Sequence, residues 1–97
     1  DGPSAGVTIA SALLSLARNQ VPKKGVAMTG ELTLTGQVLA IGGVREKVIA
    51  ARRQKIHELI LPEANRGSYQ ELPEYLKQGI TVHFAKRFSD VAKVLFD

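Results

Sequence analysis

Val26-Ala27-Met28-Thr29-Gly30-Glu31-Leu32-Thr33-Leu34-Thr35-Gly36-Gln37-Val38-Leu39-Ala40-Ile41 is the stretch on which the fold turns. Val26 to Thr29 predicts a strand closed by Gly30. Glu31 to Thr35 alternates polar and apolar residues, the pattern of a half-buried strand. Val38 to Ile41 predicts a third strand, and Gly36-Gln37 between the two suits a two-residue type II′ hairpin turn with glycine first. Thr29 to Leu34 and Thr35 to Ala40 also read as two copies of a six-residue unit. Two copies are too few for a solenoid, and hairpin symmetry accounts for them.

Helical periodicity lies on both sides of this stretch. Towards the N-terminus, Val7, Ala10, Leu13, Leu14 and Ala17 recur at helical spacing, and Ile9, Ala12 and Leu16 widen the stripe. Asp1-Gly2-Pro3-Ser4 is a start signal, because proline in a first helical turn lacks an N–H that would go unused anyway. The predicted helix runs from about Ser4 to Asn19, and Lys23-Lys24-Gly25 is a loop. Towards the C-terminus, Gly42-Gly43 opens a helix to about Gln54, with Val44, Val48 and Ala51 on one stripe. Glu58 to Leu61 is a short strand ended by Pro62. The polar segment Ala64 to Gln78, interrupted by Pro73, predicts short helical turns. Ile80, Val82 and Phe84 alternate as a strand, and Ser89 is the expected N-cap of a last helix carrying Val91, Val94 and Leu95. The alternation predicts one α/β (α+β) domain, a mixed β-sheet packed with helices.

Composition narrows the chemistry. The 97 residues, 44% hydrophobic and 23% charged, fit one folded domain rather than a disordered segment. Thirteen Lys and Arg against nine Asp and Glu leave +4, but the cations are scattered, so nucleic acid is compatible as a partner without being supported. The absence of cysteine excludes disulfides, thiolate metal sites and a cysteine nucleophile. With two histidines a conventional zinc site would need carboxylate help, so no metal is expected. No apolar run approaches the roughly 20 residues of a membrane span. A chain that opens on Asp1 is expected to be a piece of a longer one.

Three places carry candidate chemistry: Asp1 to Gly6, Met28 to Glu31 and Gly42 to Lys47. Ser4 lies at the mouth of the first helix, where free N–H groups and the positive helix end favour a developing oxyanion. Gly2 and Gly6 would let a substrate backbone approach, although serine before an apolar helix also serves as a plain cap. Lys47 has Gly43, Val44, Ala50 and Ala51 as same-face neighbours, so its ammonium is expected among small apolar groups. Desolvation favours neutral lysine, which can deprotonate a serine without histidine. The ordinary alternative is a side chain lying along the helix with its head in water. Thr29 at a strand end can accept a hydrogen bond from a lysine and fix its direction. Glu31 ranks as supporting, since a carboxylate near Lys47 would oppose its neutral form, and Asp1 as a residue that caps or orients the nucleophile loop. Neither His57 nor His83 has an evident orienting acid. Gly42 to Lys47 lacks the G-x-x-x-x-G-K-[ST] spacing of a phosphate loop. Arg52-Arg53 with Lys55 reads as a solvated helix end.

Together these places resemble the Lon protease family. Asp1-Gly2-Pro3-Ser4-Ala5-Gly6 is similar to its nucleophile motif, Ala27-Met28-Thr29-Gly30-Glu31 to its strand motif, and Ile41-Gly42-Gly43-Val44-Arg45-Glu46-Lys47 to its general-base motif. The interval from Ser4 to Lys47 agrees as well, and the resemblance continues through Leu61-Pro62 to the last helix. It implies a fold like the second domain of ribosomal protein S5, with Ser4 as nucleophile, Lys47 as general base and Thr29 as the residue that positions Lys47. It implies an ATP-dependent serine endopeptidase acting on unfolded or regulatory polypeptides, a homo-hexamer in the cytoplasm of a bacterium or an organelle matrix. Residues 1–97 would then be the C-terminal part of the proteolytic domain. Its upstream strands and an AAA+ ATPase module, which would bind ATP and Mg, would lie outside the chain. The cleavage step itself is expected to need no cofactor. The rival expectations are an ATP-independent peptidase with the same dyad, and a non-catalytic assembly or nucleic-acid-binding domain.

Overall fold

The structure, a computed structural model, describes residues 5–96. Helix α1 (Ala5–Arg18) leads to strand β1 (Val26–Met28) and a ribbon of β2 (Glu31–Leu32) and β3 (Val38–Leu39). Helix α2 (Val44–Arg53) and strand β4 (Glu58–Pro62) follow. A 3-10 turn (Glu63–Asn65) and two short helices, α3 (Arg66–Gln70) and α4 (Glu74–Lys77), precede β5 (Thr81–Ala85) and α5 (Phe88–Phe96).

The sheet is parallel in the order β1-β4-β5, with Met28 beside Ile60 and Ile60 beside His83. Leu59, Ile60 and Leu61 are all buried, and successive strand residues face opposite ways, so the run requires cover on both faces. Ile60 packs with Val7 of α1 and with Val91 and Leu95 of α5. Leu59 and Leu61 pack on the other face with Val44, Val48 and Ala51 of α2 and Leu76 of α4. Each of these Val, Leu and Ile side chains stabilises the layers by about 1.5–3 kcal/mol. This is the expected α/β architecture, with parallel pairing in the sheet and antiparallel pairing in the ribbon.

Three local expectations differ. Strand pairing in the ribbon stops at Leu32 and Val38, and the turn is not the two-residue one. Thr33 N–H donates to the Gln37 carbonyl at 3.0 Å, Gly36 N–H donates to the Thr33 carbonyl at 3.0 Å, and Gly36 has φ +84°. Leu34, Thr35 and Gly36 therefore make a three-residue loop with glycine last, in the left-handed position. The Thr33 hydroxyl, accepting Gln37 N–H at 3.0 Å, holds this wider closure, and Leu34 is fully exposed. Ser89 does not cap α5. Asp90, in the first turn, reaches back to accept the N–H groups of Lys86 and Arg87 at 2.9 and 3.1 Å. Those bonds, the one from Arg87 foremost, hold its carboxyl below the usual range. Finally, α1 buries Val7 and Ser11, whereas Ile9, Leu13 and Leu16 are 57%, 62% and 80% exposed. Its apolar surface is wider than the sheet beneath it.

Candidate active site

Thr29 stands at the C-terminal end of β1, its N–H donated to the Ile60 carbonyl at 3.3 Å and its side chain buried, 5% exposed. Gly30 then turns the chain, and its carbonyl accepts Val7 N–H at 3.0 Å, which joins the first turn of α1 to the end of β1. The contact is tight. A Cβ on Gly30 would lie 2.8 Å from Val38 Cγ1 and 3.0 Å from Val7 Cγ2, and one on Gly6 would lie 3.1 Å from Leu32 N. The room that Gly6 leaves is thus filled by the protein's own ribbon rather than kept for a substrate.

Lys47 lies in the first turn of α2, donating its N–H to the Gly43 carbonyl at 3.0 Å. Gly43, at φ +72°, swings the chain into the helix. The loop before it is held by buried Asn65, whose Oδ1 accepts Ile41 N–H and whose Nδ2 donates to the Ile41 carbonyl, both at 2.9 Å. Asn65 was invisible in the sequence, one polar residue in a polar segment. Its role exists only because the 3-10 turn meets the loop.

Lys47 and Thr29 line one cavity of about 120 Å³, walled by Ala27, Met28, Ala50, Ala51, Leu59 and Leu61. Lys47 and Thr29 thus line the same cavity as the small residues Ala50 and Ala51. The expected withdrawal of Lys47 from water is not present, because its side chain is exposed among the described residues. Glu31 is exposed on β2 and makes no ion pair among the described residues. Ser4 and Asp1 lie outside the described residues; Ala5, which follows Ser4, begins α1. Among the described residues no group of three His, Asp or Glu could hold a metal ion.

The histidines are elsewhere. His83 on β5 does have an acid partner, contrary to the sequence expectation: its Nε2 lies 2.6 Å from Glu58 Oε2. Lys23 Nζ meets the same carboxylate, 2.9 Å from Oε1. The Lys23 ammonium first and His83 second hold the Glu58 carboxyl below its ordinary range. Glu58 shares the sheet face of Ile60, which is the α1–α5 side, so this cluster is separate from the cavity that faces α2.

Comparison with known proteins identifies the family. Residues 1–97 match the family model of the Lon protease (S16) C-terminal proteolytic domain. The chain is 72% identical over 96 residues to Lon protease 2 of Hydrogenovibrio crunogenus, covering 99% of this chain and 11% of that protein. It is 66% identical over 96 residues to the Lon protease of Magnetococcus marinus, and 57% identical over 96 residues to that of Chlamydia muridarum. Each alignment again covers 99% of this chain and 12% of the relative. The chain thus spans about one-ninth of the length of these curated relatives.

Proposed function

The chain belongs to the Lon protease family, and on that premise we propose that it is the dyad-bearing part of an ATP-dependent serine endopeptidase. The supporting observation is the cavity that Lys47 shares with buried Thr29, beside the joint between Gly30 and the first turn of α1, which begins one residue after Ser4.

In this reading neutral Lys47 takes the Ser4 hydroxyl proton as Ser4 Oγ attacks a peptide carbonyl. N–H groups at the start of α1 and the positive end of that helix stabilise the tetrahedral oxyanion. Lys47, now an ammonium, donates its proton to the leaving amine, and water with the same base then clears the acyl ester. Thr29 orients the lysine, while Glu31 and Asp1 support the surrounding loops. A lysine serves as a base only when neutral, which requires shielding from water. That shielding comes from polypeptide outside these residues, which also covers the apolar outer face of α1. The 97 residues are accordingly the C-terminal part of a larger proteolytic domain. In this reading ATP and Mg bind an ATPase module outside this chain. No step of peptide cleavage runs through them. Polypeptides are the substrates, and the parent protein is a cytoplasmic homo-hexamer. No helix of the described residues is long and apolar enough to cross a membrane.

The test is made in the parent enzyme. Ser4→Ala and Lys47→Ala should each lower peptide cleavage by at least about 10²-fold, the scale of a lost nucleophile or base, while ATP hydrolysis persists. Wild-type cleavage by the Lys47 variant would remove the dyad assignment.

A further inference from the structure

At the far end of α2 from Lys47, a cavity of about 150 Å³ opens between the helix terminus and the turn from α4 to β5. Arg52, Lys55 and His57 line it together with Gln78 and Gly79, and no carboxylate is among its lining residues. The cavity has room for several waters, and so for a small oxyanion. We propose that this cavity binds a phosphate group.

Arg52 is held in place: its Nη1 donates to the Gln78 carbonyl at 2.6 Å and to the Leu76 carbonyl at 3.3 Å. One nitrogen is thereby engaged and the guanidinium plane is set, with Nε and Nη2 still able to donate. A planar fork of this kind suits phosphate oxygens. Lys55 follows the helix end at φ +59°, a left-handed conformation that glycine adopts readily and other residues adopt under strain. Its N–H meets the Arg52 carbonyl at 3.1 Å, and Ile56 N–H meets the Ala51 carbonyl at 2.9 Å, so the backbone there is locked. Helix-end carbonyls account for the placement of Arg52. They do not account for Lys55 and His57, which are exposed beside it and make no ion pair among the described residues. The three groups come from the last turn of α2, the residue that ends it and the approach to β4. The fold therefore gathers cations that the sequence presents as a solvated run.

Lysine footprinting of the parent protein tests this without relying on peptidase activity. Acetic anhydride labelling of Lys55 is followed by mass spectrometry at constant ionic strength, with pyrophosphate or with a short single-stranded oligonucleotide added. Lys24 and Lys93, exposed elsewhere, serve as references. At a ligand concentration four times its Kd, Lys55 labelling should slow about fivefold, since occupancy scales as 1 + [L]/Kd, while the references do not change. His57→Gln should weaken the protection and Arg52→Gln should remove it; if the latter disturbs α4, the exposed His57 variant carries the test. Stronger protection by pyrophosphate supports a free phosphate ligand, and stronger protection by the oligonucleotide supports a phosphodiester backbone. Parallel slowing of Lys55, Lys24 and Lys93, no slowing with either probe, or protection indifferent to His57→Gln overturns the site.

Discussion

Glu58 ties three parts of the chain with one carboxylate: Lys23 in the α1–β1 connector, β4 on which it sits, and His83 on β5. Because its folded pKa lies below the ordinary value, the carboxylate contributes stability that is complete above the unfolded pKa, near 4.3, and is lost as pH falls through the folded one. The urea midpoint of wild-type protein should therefore fall more steeply than that of Glu58→Gln between about pH 5 and 3, the window set by carboxylate titration. Parallel midpoints across that window would show that the carboxylate gives no such linkage. At this scale the sequence was legible where a residue type has one dominant use. Thr29 and Lys47, which line one cavity, were singled out from the sequence, whereas Glu58 and Asn65 were not, because each acts through a partner about 25 positions away.

Among the elements, α5 shows how a local rule can point to the wrong residue. Serine is a strong helix cap, yet the helix starts one residue earlier than Ser89 and the acid that follows does the work. Asp90→Ala should cost about 0.5–2 kcal/mol by loss of both N–H contacts. Ser89→Ala, at an exposed position inside the first turn, should stay within about 0.5 kcal/mol of wild type. Urea unfolding of the two variants separates the assignments, and a larger loss for Ser89→Ala would restore serine as the cap. The ribbon repeats the lesson. Its strands were legible from alternation, but the turn depended on the Thr33 hydroxyl and on which backbone pair closed first.

For the whole molecule, α1 is the informative element. Apart from Arg18 it carries no charged residue, and a helix apolar on every side belongs in an interior. One side meets the ribbon and α5, and on the other Ile9, Leu13 and Leu16 are exposed among the described residues. In the isolated chain, Leu13→Lys with Leu16→Lys should raise solubility and leave the urea unfolding free energy within about 0.5 kcal/mol of wild type. In the parent protein the same pair should lower stability and peptidase activity together, because buried charges without partners are strongly unfavourable. An unchanged parent enzyme would show that this face stays in water.

The order of helices and strands, the apolar faces that pack on the sheet and the resemblance at three motifs were determined by the sequence itself. They depend on periodicity and on residue types close together in the chain. Only tertiary structure decided that Asn65 braces the loop before α2, that Gly6 and Gly30 bring α1 against the ribbon, and that Lys47 remains exposed. Each of these follows from which surfaces meet after folding, and a lysine's contact with water is a property of the whole assembly around it rather than of its neighbours along the helix.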